Sequence, residues 1–127
     1  MYYIVETSKT PEQAATDLAE AVVRNGFGVL HVHDLGATLR SKGVAFERQC
    51  KVFEVCNPQQ AASVLAADMR LNMALPCRIS VYTDGGKTWI GMIRPVRMLG
   101  MLSTDAALVA TAGEVEQVVT RIIDEAR

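Results

Sequence analysis

Residues 77–94 read CRISVYTDGGKTWIGMIR, and this stretch decides the fold. Two β-prone runs, 77–83 and 88–94, flank Asp84-Gly85-Gly86-Lys87. Paired glycines supply the positive φ angles that a tight antiparallel connection needs. Strand alternation puts Arg78, Ser80 and Tyr82 on one side, with Cys77, Ile79 and Val81 on the other. Trp89, Gly91 and Ile93 likewise oppose Thr88, Ile90 and Met92. Both faces carry large apolar or amphipathic groups, so both need cover. Helices are expected on one face and a second copy of the chain on the other, which predicts a homodimer.

Working upstream, Pro76 bars a central strand from starting before Cys77, and 69–76 reads as a connector. Asn57-Pro58 opens a helix running to about residue 68, because Asn is a strong N-cap and Pro is favoured at the first helical position. Residues 49–55 form a strand ending at the Cys56-Asn57-Pro58 corner. Asp34 caps a short helix over 35–42, stopped by Gly43, and 27–33 is a strand before it. Thr10 and Pro11 open a helix with Ala14, Leu18, Ala21 and Val22 at helical spacing, closed by Asn25-Gly26. Residues 1–7 are a first strand.

Downstream, 95–112 reads as irregular with short helical turns, with Pro95–Leu102 an apolar lid or dimer arm. Thr111 with Glu114 has capping-box spacing ahead of the stripe Val115, Val118, Val119, Ile122 and Ile123. The expected order is β-α-β-α-β-α-β-β-α. This is an α+β domain spanning 1–127, with helices on one face of a mixed, largely antiparallel sheet of about five strands.

Two runs, KVFEVCNPQQAASVLAAD at 51–68 and LPCRISVYTDGGKTWIGMIRP at 75–95, resemble the prokaryotic family called domain of unknown function 302. The resemblance extends through Asp34-Leu35…Leu39…Lys42-Gly43 and the 115–123 helix. It implies a small α+β domain, commonly a dimer, and brings no activity, substrate or catalytic set.

Composition narrows the function. The 127 residues are 50% hydrophobic and 21% charged with net charge −1, a globular balance with no electrostatic push toward nucleic acid. Residues 40–97 nevertheless hold nine basic against four acidic side chains, which suggests a surface for a small anion. No basic n-region or apolar span reads as a signal peptide or membrane segment. Three cysteines at uneven spacing form neither a disulfide framework nor a zinc ribbon, so a reducing cytoplasm is the simplest compartment.

The site candidates are Cys56, Asn57, Cys77 and Arg78. Cys56 precedes a helix N-terminus, whose free N–H groups and dipole stabilise anions. A small ligand, anionic in one version, would be held there by backbone N–H groups and Arg78. A second reading makes Cys56 a nucleophile or redox thiol, with its pKa about one unit below the usual 8.5 or so. The bland alternative packs both thiols in the core. A third class is soft-metal or haem binding. His31 and His33 share one strand face, and Met69, Met73, Met92, Met98 and Met101 offer thioethers. None of these has recognisable ligand spacing, and Met is a common core filler. No nucleophile–base motif or phosphate loop is present.

Overall fold

The computed structural model describes residues 1–127. In chain order the elements are β1 (Tyr2–Thr7), α1 (Pro11–Arg24), β2 (Gly28–Asp34), α2 (Leu35–Ser41), β3 (Cys50–Cys56) and α3 (Pro58–Ala67). A 3₁₀ helix (Met69–Ala74), β4 (Cys77–Asp84), β5 (Lys87–Ile93), α4 (Pro95–Leu102) and α5 (Ala106–Ala126) follow.

The punctuation read from the sequence works as expected over the first two-thirds of the chain. The Thr10 hydroxyl accepts from the Gln13 N–H at 3.1 Å. The Asp34 carboxylate accepts from the Ala37 N–H at 2.9 Å. Gly26 and Gly43 end their helices with φ near +80°. The 84–87 hairpin is tighter than a four-residue connection. Asp84 pairs with Lys87 in the ladder, leaving Gly85 and Gly86 as a two-residue loop at φ +60° and +74°. Positive φ at both central positions matches the twist of the strands they join.

Five strands form one sheet in the order β1-β5-β4-β3-β2. Every pairing is antiparallel, so the parallel component expected of a mixed sheet does not occur. The helices α1 and α5 cover one face. Leu18 and Val22 of α1 and Val119, Ile122 and Ile123 of α5 close on Ile79, Val81 and Ile90, all essentially inaccessible. Each such aliphatic contributes roughly 2 kcal/mol by burial. On the opposite face, Gly91 is required by close approach, because a Cβ there would come within 2.9 Å of the Ile4 side chain.

The 95–112 region is ordered helix, contrary to the sequence reading. Residues Pro95–Leu102 form α4, and α5 starts at Ala106, capped by the Asp105 carboxylate on the Leu108 N–H at 2.9 Å. Thr111 lies inside α5 and donates its hydroxyl to the Ala107 carbonyl at 3.1 Å, so its spacing to Glu114 is not a cap. The register is set by burial: Leu108, Ala112, Val115 and Val119 lie along one face of the helix. The first two join Val64, Leu71 and Leu99 in a second, smaller core. The connector at 69–76 is likewise a 3₁₀ helix that supplies Leu71 to this cluster.

Candidate functional site

Cys56 ends β3 and Cys77 begins β4, and the register that pairs Val55 with Cys77 brings both thiols to one end of the sheet. They line the same cavity of about 260 Å³, walled by α3, α4, α5 and the 3₁₀ helix. Leu30, Val64, Met98 and Leu99 are among its apolar walls, and Asn57 and Gln60 also border it. No charged side chain lines it.

Asn57 stands where the sequence placed it, and its side chain caps α3. Its Oδ1 accepts from the N–H groups of Gln59 at 3.1 Å and Gln60 at 3.2 Å. Its carbonyl accepts from the Ala61 N–H at 3.0 Å, and Pro58 has no N–H to offer. The first-turn donors that an anion would need are therefore already used.

The thiols differ from the expectation of an activated Cys56. Burial pushes the Cys56 thiol above its ordinary value. Cys77 is driven further, from 9.0 to about 11, by burial and secondarily by the nearby Cys56. Cys50 is also raised, by burial and by Asp34. All three are free.

Arg78 does not join the two cysteines in this cavity. Alternation turns its side chain to the open face of the sheet, over a second hollow of about 410 Å³ bordered by Tyr2, Ser80, Tyr82 and Ile93. The two hollows share Pro76, Cys77, Pro95 and Met98 as a common wall. Arg78 lies opposite Glu54 in the ladder, with 3.9 Å between its Nη2 and Oε1. Three further basic side chains of 40–97 have acidic partners. Arg48 pairs with Asp84, Arg70 with Asp68, and Lys87 with Glu6 from β1.

His31 and His33 do share a face, their rings edge-on with centroids 4.4 Å apart. The His33 Nε2 lies 2.7 Å from Glu54 Oε1. That hydrogen bond, helped by the charges of His33, Arg78 and His31, holds the Glu54 carboxyl below the usual range. No group of three or more His, Cys, Asp or Glu side chains is arranged around a common point for a metal. The methionines are scattered. Met92 is in the main core, Met98 lines both hollows, and Met69, Met73 and Met101 are exposed.

Gln60 was not singled out from the sequence. Its Oε1 is enclosed and finds no hydrogen-bond donor in the protein. The only hint was its place three residues after Asn57, where a capping box would turn the side chain back toward the cap.

A family model described as domain of unknown function DUF302 matches residues 3–126. The crystal structure of an uncharacterized conserved protein DUF302 from Bacillus stearothermophilus is similar at a TM-score of 0.93 and 35% identity. The match covers 99% of this chain and 98% of that one. No curated protein matches the chain, and no helix is long and apolar enough to cross a membrane. With the family model spanning nearly every residue and a relative of the same fold at this identity, the chain belongs to the DUF302 family.

Proposed function

We propose that this chain is a dimeric binding module that holds a small molecule in the cavity beside Cys56 and Cys77. The observation that carries the reading is the cavity itself: about 260 Å³, walled by several elements, apolar, and edged by few polar groups. Sites for small ligands have this composition. Arg78 belongs to the neighbouring sheet-face hollow, so an anionic group on the ligand could meet it only from that side. The thiol-enzyme reading has less support, because burial raises all three thiol pKa values and a nucleophile needs its thiolate. Three free cysteines fit a reducing compartment such as the cytoplasm.

The dimer rests on the open sheet face. Tyr2, Ile4 and Ile93 are 66%, 43% and 48% exposed there. Both charge signs surround them, in Glu6, Glu54 and Asp84 against Lys87, Arg78 and Arg48. A face with an apolar centre and mixed charge can pair with a second copy of itself about a two-fold axis.

The cavity reading is tested with the uncharged dye N-phenyl-1-naphthylamine, whose fluorescence rises in apolar surroundings. The wild type is expected to bind it saturably. Ala61→Leu, which adds volume from α3 into the cavity while keeping a good helix former, is expected to abolish the signal. Dye binding that is absent, or equal in both proteins, overturns the reading.

A further inference from the structure

We infer that the cavity beside Cys56 and Cys77 selects an uncharged, largely apolar molecule with a single hydroxyl-like polar end, held by the side-chain amide of Gln60. The inference rests on the cavity reading and adds the ligand class. Four observations carry it.

The walls include no Lys, Arg, Asp, Glu or His, so an ionised ligand would lose its hydration without gaining a counter-charge. That penalty is severe in apolar surroundings. The backbone donors at the start of α3 are occupied by Asn57, which removes the other ordinary means of holding an anion. Size then sets the body of the ligand. A cavity of roughly 150 Å³ takes benzene, and about 260 Å³ suits a two-ring or similarly sized branched skeleton.

The polar end follows from Gln60. Enclosing an amide oxygen without a donor costs free energy that a partner would recover, and this oxygen has none in the protein. Gln60 borders the cavity, so its amide is the group there with a hydrogen bond still to make. A hydroxyl both donates and accepts, and it therefore satisfies the amide whichever end is presented.

The test compares naphthalene, 2-naphthol and 2-naphthoate at pH 7, which share one bicyclic body and differ in polar end and charge. Affinities are measured by titration calorimetry or ligand fluorescence on the wild type, Gln60→Leu and Ala61→Leu. In the wild type, 2-naphthol is expected to bind about fivefold tighter than naphthalene, as one recovered hydrogen bond would give. It should bind at least about tenfold tighter than 2-naphthoate. Gln60→Leu should erase the gain of naphthol over naphthalene and leave naphthalene affinity within about twofold. Ala61→Leu should weaken all binding. If 2-naphthoate binds as tightly as 2-naphthol, or the naphthol gain is missing or survives in Gln60→Leu, this inference falls and the cavity reading stands. If none of the three binds, or Ala61→Leu changes nothing, the cavity reading itself falls.

Discussion

Cys77 keeps its proton because its thiolate would lie among apolar side chains, and burial holds the pKa at about 11 against an ordinary 9.0. This has a consequence for stability with a definite sign. Between those two values the unfolded chain releases the proton and the folded chain retains it, so stability falls as pH rises. At about 1.4 kcal/mol per pH unit, the loss from this group reaches about 2 kcal/mol by pH 10.5. Below pH 8 it contributes no slope. Urea unfolding of wild type and Cys77→Ala from pH 7 to 10.5 is the check, since the other titrating groups are common to both. The stability gap should close as pH rises, and parallel curves would refute it. Iodoacetamide at pH 8 should accordingly modify Cys77 most slowly of the three thiols. Cys56 could be located from sequence because the Asn-Pro corner is a local signal. Its raised pKa could not, since desolvation comes from α3, α4 and α5 closing around it.

At the scale of single elements, local chemistry was legible wherever a cap or turn is made by residues close in sequence. Asn57, Thr10 and Asp34 all act as read. The α5 start was misplaced for a physical reason. Both Asp105 and Thr111 have side chains able to cap, and the choice depends on whether Leu108 and Ala112 are buried. They are, against Val64 and Leu99. The expected outcome is that Asp105→Ala costs about 1 kcal/mol in denaturant unfolding. Thr111→Ala should be nearly neutral, because its hydroxyl only bonds back onto the helix at Ala107. Equal effects, or a larger one at Thr111, would put the helix start back at the later position.

For the whole molecule, the open sheet face has the larger consequence. Its apolar centre at Ile4 and Ile93 should be covered in the dimer. Sedimentation of wild type at micromolar concentration is expected to give twice the chain mass. Ile93→Glu, which places a charge on an exposed strand position, should give a folded monomer. Trp89 on the same face should then become more accessible to iodide. A monomeric wild type with fully quenchable Trp89 would sink the dimer, while leaving the cavity beside Cys56 and Cys77 untouched.

The sequence by itself determined the order of strands and α-helices up to residue 94, the hairpin at Gly85-Gly86, and the corner at Cys56-Asn57. These depend on backbone preferences and hydrogen bonds within a few residues. It also carried the family resemblance, through the runs at 51–68 and 75–95. Tertiary structure alone decided that Cys56 and Cys77 share a cavity and that Arg78, which alternation already turns to the other face, meets Glu54 over a separate hollow. It also decided that α4 and the first turns of α5 are ordered and wall that cavity. Those outcomes turn on strand register and on burial by elements distant in the chain. Periodicity shows which face a residue takes, and only packing shows what lies against it.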